Sequence, residues 1–370
     1  MKHRALILGM SAMVAAGIPA VSIAAVNGGS GASSHAHRPA IVQTASKKHK
    51  MILKGIDVAW GTTSKTNLPW VESEAHKIVD YVLSLHANTI SINFKYFQKH
   101  LDSDSVYTNV GTPTPRDLAP VIKIAQSAGL MVQLRPLLSV VDSDQPRGVA
   151  LPAHPTEWMH SVYKTLWPYL KLAQQYHVEA FVWGSEFTKM TAHLPEKDWT
   201  WLIQKMKSIY TGRLEYAAGH AAYLVRSGPE SPNMPGYKDY VDGYFPVNAG
   251  PHASVNRLIA GWQQWLKVVP KSTLSNTVIS EVGIPVASDA YEMPWGSPPT
   301  SLKYLPMQAH WFTMVCDIVK IDHMKGVFFW RLDFPIDPYS IKGNSPALTS
   351  DAFADRPGAD AISTCFSRTL

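Results

Sequence analysis

Eight short runs of apolar, β-forming residues recur along the chain from residue 51 onward, with helical patterns between them. The runs are MILKGIDVAW (51–60), NTISINF (88–94), LMVQLRPLL (130–138), VEAFVWGSEF (178–187), RLEYAAG (213–219), VDGYFPVN (241–248), NTVISEVGIP (276–285) and KGVFFWRLDF (325–334). Parallel strands need long crossover connections, which are usually helices. Eight strand–helix units over about 300 residues predict an α/β fold, a (β/α)8 TIM barrel.

The segments between the runs carry the period of amphipathic helices. In the first of them, Ile78, Val82 and Leu85 fall on one helix face. The segment between the fifth and sixth runs is rich in Pro and Gly and predicts only a short or irregular helix. A doubly wound open sheet is the structural alternative, but the first run lacks the glycine-rich GxGxxG turn of such folds.

The N-terminal 50 residues differ from the rest of the chain. Residues 1–25 combine a basic start, an apolar stretch and small residues, which predicts a signal peptide cleaved after Ala24 or Ala25. An uncleaved membrane anchor is the alternative. Residues 26–50 are small, polar and basic and predict a flexible linker. We therefore expect a secreted protein, extracellular or in the cell envelope, whose single barrel domain spans 51–370.

Composition and charge narrow the class of partner. With 46% hydrophobic and 17% charged residues, the chain can bury a large core. The net charge of +6 comes partly from basic residues near the N-terminus, and no basic helix is interleaved with aromatics, so we expect no nucleic-acid partner. We also expect no stable membrane insertion after cleavage and a monomer. There is no HExxH and no compact His/Asp spacing, so we expect no metal and no cofactor.

The chain has two cysteines, Cys316 and Cys365. Export makes a disulfide between them feasible, and it would tie the C-terminal segment to the helix that carries Cys316. Two separate buried thiols are the alternative, because spatial proximity is not readable from sequence.

Glutamates close two of the predicted strands, Glu186 the fourth and Glu281 the seventh. Catalytic residues of TIM barrels lie at the C-terminal ends of strands, although a carboxylate that begins a helix is also stabilised by the helix dipole. Strands four and seven lie across the barrel mouth, so both carboxylates are expected to face one space. Two facing carboxylates are the minimal equipment for cleaving a glycosidic bond.

The contexts of these glutamates are similar to a known family. KGIDVAWG, AGLMVQLRPLL, VWGSEF, ISEVGIP and AYEMPWG resemble the clan A retaining glycoside hydrolases, and more narrowly the β-mannanase family numbered 113, from about Lys54 to Phe334. The resemblance implies a polysaccharide or oligosaccharide substrate, with β-mannan as the first expectation. It implies Glu186 as general acid/base with a raised pKa and Glu281 as an ionised nucleophile, their carboxyl groups about 5 to 5.5 Å apart.

Further strand-end residues are candidates for binding substrate. They are Asp57, Asn93, Lys95, Arg135, Ser185, Tyr244, Asn248, Trp295 and Trp330. Trp330 is expected to stack on a sugar ring, with a core aromatic as the alternative. Tyr244 is expected to donate a hydrogen bond to Glu281, and Arg135 to hold a carboxylate. Asp333 and His220 are ranked lower, as structural.

Ser185 departs from the pattern of the clan, in which many members carry Asn before the acid/base. In those members the Asn amide contacts the sugar 2-hydroxyl, so the change to Ser185 affects which sugar is expected and not which reaction. The same mechanism on another β-glycan, transglycosylation, and a non-catalytic carbohydrate-binding barrel remain as alternatives.

Overall fold

The computed structural model describes residues 51–61, 67–225, 239–296 and 303–368. Its centre is a closed barrel of eight parallel strands in chain order, which confirms the predicted TIM barrel. The strands are β1 Leu53–Trp60, β2 Thr89–Gln98, β3 Met131–Val140, β4 Ala180–Ser185, β5 Arg213–Gly219, β6 Tyr240–Asp242, β7 Val278–Val282 and β8 Gly326–Phe334. The predicted signal peptide (1–25) and linker (26–50) lie outside the described residues.

Helices connect the strands. They are α1 Leu68–Ser84, α2 Pro115–Ser127, α3 Pro155–Gln175, α4 Thr188–His193, α5 Glu196–Lys207, α6 His220–Val225, α7 Val255–Leu266, α8 Lys271–Leu274, α9 Pro306–Ile321 and α10 Pro357–Ser367. Local sequence sets several of the starts: the side chain of Asn67 caps α1, and Thr114 and Asp117 form a capping box on α2. In the described ranges, no helix is both long and apolar enough to cross a membrane.

Alternation along the strands divides the apolar residues between two faces. Outward residues such as Ile56, Ile90 and Phe181 pack under the helices. Inward residues form a separate apolar cluster of Leu53, Val182, Ala217, Tyr240, Val278 and Phe328. Gly55 makes room for this cluster, because a Cβ there would lie 2.2 Å from the Phe328 ring. Side chains therefore fill the interior of the barrel below the strand ends, and the barrel is not a pore.

A layer of polar side chains lies in the strands that surround this cluster, and it is buried as well. It consists of Asp57, Ser91, Asn93, Gln133, Arg135, Asp242 and Ser280. Buried polar groups are tolerated when they hydrogen-bond to one another. Gln133 Nε2 donates to Ser91 Oγ at 3.0 Å, and Asn93 Nδ2 donates to Asp57 Oδ1 at 2.9 Å. This layer contains the residues that hold the candidate site.

Cys316 of α9 and Cys365 of α10 form a disulfide, which decides between the two alternatives left open by the sequence. The C-terminal helix α10 had no predicted counterpart, and this bond ties it to the helix that precedes β8.

Replacing both cysteines with serine is expected to lower the free energy of unfolding by up to about 4 kcal/mol, because the bond closes a long loop in the unfolded chain. The sequence separation is 49 residues. Urea unfolding of the double variant and of the parent with and without reductant measures the effect. Equal midpoints for the variant and the oxidised parent would show that the bond does not stabilise the fold.

Glu215 of β5 is a buried carboxyl away from the candidate site. Burial raises its pKa from 4.5 to about 7, although Arg213 lowers it. The folded protein thus binds this proton more tightly than the unfolded chain, and stability falls as pH rises from 4.5 to 7. Glu215→Gln is expected to raise stability at pH 8 by up to about 3 kcal/mol and to have little effect at pH 4.

Urea unfolding at both pH values measures this difference. Glu72→Gln, at an exposed position of α1, is the matched control. A Glu215→Gln variant with the same stability change at pH 4 and pH 8 would contradict the expectation.

Candidate active site

Glu186 and Glu281 line one cavity of ≈ 480 Å³ at the C-terminal ends of the strands. Glu186 directly follows β4, and its side chain is 29% exposed. Glu281 lies within β7 and is 8% exposed. The lining also includes Arg147, Tyr244, Trp295 and Trp330. The structure thus brings the two strand-end glutamates to one space, as their positions in a barrel predicted.

Irregular backbone presents both carboxylates. Glu186 has a left-handed conformation with φ +57°, held by hydrogen bonds from its N–H to the Ala217 carbonyl and from the Thr188 N–H to its carbonyl. Such a conformation costs a non-glycine residue about 1–3 kcal/mol, so the surrounding structure must hold it. In β7 the pairing with β8 shifts between Ile279 and Val282. Because of this irregularity, the consecutive side chains of Ser280 and Glu281 both point into the barrel, where strict alternation would allow only one of them.

Glu281 is held by one hydrogen bond and one ion pair. Tyr244 Oη donates to Glu281 Oε1 at 2.6 Å, the hydrogen bond anticipated from the sequence. The guanidinium of Arg135 forms an ion pair with Oε2 at 2.9 Å, although its hydrogen bonds go to other partners. Arg135 lies in the middle of β3 rather than at its end, and it is completely buried. The hydrogen bond and the positive charge both stabilise the ionised form of Glu281.

Arg135 is fixed in turn by a network that the sequence analysis did not identify. Arg135 Nη2 contacts Asp242 Oδ2 at 2.7 Å, and Nη1 donates to the Ser280 carbonyl at 2.8 Å. Asp242 Oδ1 accepts from Ser280 Oγ at 2.8 Å. A guanidinium inside a barrel must have acidic partners, but the sequence does not say which acids they are.

Ser185 belongs to this network and not to the cleft. Its hydroxyl accepts from Arg135 at 2.9 Å, donates to Asp242 at 2.8 Å and is buried. The predicted contact between Ser185 and a sugar is therefore corrected to a role in holding Arg135 and Asp242.

Asp57 is another correction. It is fully buried and accepts a hydrogen bond from Asn93, which leaves no surface for the predicted contact with a sugar. Burial raises the pKa of Asp57 to about 7, although Arg135 and the hydrogen bond from Asn93 lower it. Asn93 is also buried, and it lines a second, smaller cavity that is described below.

Arg147 is the partner of Glu186, and sequence reasoning missed it. Its Nη2 lies 3.1 Å from Glu186 Oε2. Arg147 starts a short 3₁₀ helix, Arg147–Val149, in the long connection after β3. No sequence pattern marks this residue. Its position beside Glu186 depends on how the connection folds over the barrel mouth, which only the tertiary structure shows.

Burial raises the pKa of both glutamates. For Glu186, Arg147 acts in the opposite direction. For Glu281, burial raises the pKa to about 8 against the lowering effect of Arg135, and the charges of Asp242 and Glu186 raise it further. The expectation that only Glu186 has a raised pKa is therefore corrected, because burial raises the pKa of Glu281 as well.

Aromatic residues border the cavity. Trp330 Nε1 donates to Asp351 Oδ2 at 2.6 Å, which orients the indole at the cavity wall. Trp295 is 55% exposed and stacks on His220 with ring centroids 5.6 Å apart. His220, ranked as structural from the sequence, thus lies at the cavity. Asn248 is exposed and lines neither of the two cavities at the strand ends.

A second cavity of ≈ 290 Å³ adjoins the first. It lies over the ends of β1, β2, β3 and β8, and it shares Arg147 and Trp330 with the first cavity. Lys95, a candidate from the sequence, lines it. Asp333 lines it too and forms an ion pair with Arg331 at 2.7 Å.

Three side chains of the described residues come close enough together to share a metal ion, those of Asp104, His154 and Glu157. They line neither cavity. Asp104 already contacts His154 Nδ1 at 2.7 Å, next to the start of α3.

Comparison with known proteins gives a consistent family. The model of Glycoside Hydrolase Family 113 matches residues 58–345. A solved complex of a GH113 β-1,4-mannanase superposes with a TM-score of 0.68 at 17% identity, covering 86% of this chain and 100% of that one. GH113 β-mannanase AaManA from Alicyclobacillus acidocaldarius, in complex with ManMIm, gives 0.66 at 18% identity, covering 86% and 97%.

A more distant structure, GH5_18 from Streptomyces cattleya in complex with GlcNAc, gives a TM-score of 0.51 at 14% identity, covering 86% of this chain and 80% of that one. At these identities the likeness to solved structures concerns the fold. A comparison with curated protein sequences gives no match.

Proposed function

The chain belongs to glycoside hydrolase family 113, and from this premise we propose that it is a secreted, monomeric retaining glycosidase that cleaves β-mannan internally. The observation that carries the proposal is the pair of glutamates on one cavity, with Glu281 held by Arg135 and Tyr244. Two carboxyl groups facing one cleft are what double displacement at a sugar needs.

In the first step Glu281 attacks the anomeric carbon while Glu186 donates its proton to the leaving glycosidic oxygen. The C–O bond to the leaving sugar breaks and a glycosyl–enzyme ester forms. In the second step Glu186 removes a proton from water, the water oxygen bonds to the anomeric carbon, and Glu281 leaves as a carboxylate. Two inversions give a product of retained configuration.

The partners of Glu281 suit a carboxylate that must be both nucleophile and leaving group. Tyr244 donates a hydrogen bond to one of its oxygens, and the positive charge of Arg135 lies 2.9 Å from the other. These contacts favour the anion at the start of the first step and at the end of the second. The first step therefore requires that Glu281 be ionised and that Glu186 carry the proton.

The surroundings of Glu186 suit a group that releases and regains a proton. Burial favours its protonated form, and Arg147 at 3.1 Å stabilises the carboxylate formed when the proton moves to the leaving oxygen. Opposing effects of this kind bring the pKa of an acid/base closer to the working pH, where proton transfer in both directions is efficient.

β-Mannan is the proposed substrate because the relatives with the higher TM-scores given above are named as β-mannanases. Trp330 supplies an apolar ring at the cavity for a pyranose face. Another β-glycan is the second candidate. It is favoured by the inward-facing Ser185, which leaves no amide at that position for a sugar 2-hydroxyl.

Release of reducing ends from β-mannan, glucomannan, β-glucan, xylan and galactan tests the proposal. The parent is compared with Glu186→Gln and Glu281→Gln, and Glu196→Gln, at an exposed position of α5, is the matched control. Cleavage of mannans that both site variants lose and the control keeps is expected. Proton NMR of the first product should show retained configuration. Cleavage of none of the five glycans, or an inverted product, would overturn the proposal.

Tyr244→Phe is expected to lower kcat about 10- to 100-fold and to move the acidic limb of the pH profile to higher pH. The hydrogen bond from Tyr244 favours ionised Glu281, so its removal raises the pKa of Glu281 further. The pH dependence of kcat/KM measures the shift. Tyr223→Phe, at a buried tyrosine of α6, is the control for loss of a hydroxyl. A lower rate with an unmoved profile would contradict this role.

A further inference from the structure

The second cavity has an unusual concentration of positive charge. Lys95, Arg147 and Arg331 all line it, and Asp333 is the one acidic residue among its described lining residues. A cleft built for neutral sugar hydroxyls is served by amides, hydroxyls and carboxylates as well as by cations. Asp333 and, from the first cavity, Glu186 face these three cations, and the remaining positive charge favours a negatively charged group in whatever binds there.

Two of the three cations have carboxylate partners among the described residues, and the third has none there. Arg331 pairs with Asp333 at 2.7 Å, and Arg147 pairs with Glu186 at 3.1 Å. Within the described residues, no carboxylate lies within ion-pair distance of the Lys95 ammonium. Partial burial and the charges of Arg331 and Arg147 lower the pKa of Lys95, in keeping with an ammonium beside other cations.

The pairing of Arg147 changes during the proposed reaction. When Glu186 carries its proton, the charge of Arg147 is no longer balanced by a carboxylate. The Nε atom of Arg147 is buried and has no hydrogen-bond partner among the described residues. The cavity is therefore most positive in the protonation state that begins the first step.

The position of this cavity determines what meets the charge. It adjoins the catalytic cavity and shares Arg147 and Trp330 with it, so a glycan that extends past these two side chains would place a neighbouring sugar unit there. The charge then acts on a substituent of that unit and not on the bond being cleaved.

We propose that the second cavity binds a sugar unit carrying an anionic substituent, either a carboxylate or a sulfate or phosphate ester, with Lys95 as its main contact. This rests on the proposed glycosidase function and narrows the substrate from a neutral β-glycan to an acidic one. Arg147 and Arg331 add to the field, and Asp333 holds Arg331 in place.

Three forms of one β-mannan test the inference: the neutral polymer, a form oxidised at C6 to carboxylates, and a sulfated form. If another glycan of the panel is the one cleaved, the same three forms of that glycan are used. We expect kcat/KM for at least one charged form to exceed that for the neutral form about tenfold, which corresponds to about 1.4 kcal/mol. The preference should shrink in 0.5 M NaCl, because salt screens exposed charges.

Variants assign the preference to the cavity. Lys95→Met should remove most of the preference for the charged form, whereas Lys95→Arg, which keeps the positive charge, should retain it. Lys99→Met, an exposed lysine just past the end of β2, should leave it unchanged. Preference for the oxidised form identifies a carboxylate as the substituent, and preference for the sulfated form identifies an ester.

Failure of the inference is separable from failure of the proposed function. Calorimetric Kd values of the Glu281→Gln variant for neutral and charged hexasaccharides of the same glycan are measured without any hydrolysis. Equal binding and equal cleavage of charged and neutral forms would overturn the inference and leave the glycosidase intact. A preference that survives Lys95→Met would overturn it too. If the parent cleaves no glycan but the Glu281→Gln variant binds a charged hexasaccharide more tightly than the neutral one, only the proposed reaction is overturned.

Discussion

Glu281→Ala is expected to lower kcat at least about a thousandfold, because no other carboxylate is held at the position from which the anomeric carbon is attacked. The fold should persist, since removing one buried carboxylate leaves Arg135 paired with Asp242 at 2.7 Å. Release of an aryl leaving group from an activated β-mannoside measures the rate. Far-UV circular dichroism and urea unfolding check that the barrel is intact.

Azide distinguishes the two glutamates. Glu186→Ala should regain part of its activity on the activated substrate with azide, which replaces water against the glycosyl–enzyme and gives a glycosyl azide of retained configuration. Glu281→Ala should give the inverted azide, because azide then attacks the sugar directly. Wild-type turnover by Glu281→Ala, or the opposite pair of configurations, would show that the assignment is wrong.

Arg135→Met is expected to lower the free energy of unfolding by about 3–5 kcal/mol, the cost of leaving a buried charge without its partner. Arg135 is completely buried and lies within 3 Å of both Asp242 and Glu281. Its loss leaves these carboxylates and Asp57 without a buried cation among them. Urea unfolding at pH 8 measures the effect. Arg135 lowers the pKa of both Asp57 and Glu281, so the loss of stability should be smaller at pH 5, where these two carboxyl groups hold their protons.

Lys77→Met is the matched control for a lost ion pair. Lys77 contacts Glu74 at 2.9 Å and Asp337 at 3.4 Å, and its side chain is 39% exposed. An ion pair whose cation is in contact with water contributes much less to stability than a fully buried one. If Arg135→Met costs no more than Lys77→Met, the buried network does not stabilise the barrel.

The architecture followed from local patterns. Each strand of the barrel overlaps a predicted apolar run, although β2 and β3 continue beyond theirs and β6 begins one residue before its own. Helix α6 is short, as Pro and Gly predicted. Backbone hydrogen bonding and side-chain alternation act over a few residues, so a sequence window records them. The C-terminal helix α10 completes the eighth strand–helix unit, but its own sequence pattern did not identify it.

The site was predicted in part. Strand ends marked Glu186 and Glu281, and Tyr244 was linked correctly to Glu281. Asp57 and Ser185 were interpreted as sugar contacts, because a polar residue near a strand end looks the same in sequence whether it faces the cleft or the layer beneath it. Burial distinguishes the two cases, and burial is a property of the closed barrel.

The sequence by itself determined the barrel, its strand order and the strand ends at which two carboxylates appear, because these depend on alternation and helical period along the chain. Tertiary structure alone decided the partners: Arg135 reaches the carbonyl of Ser280, 145 residues away, and Arg147 reaches Glu186 from a connection without a pattern. It also decided that an irregular pairing turns Glu281 inward. Contacts across a closed barrel are set by register and closure, which no local window of sequence encodes.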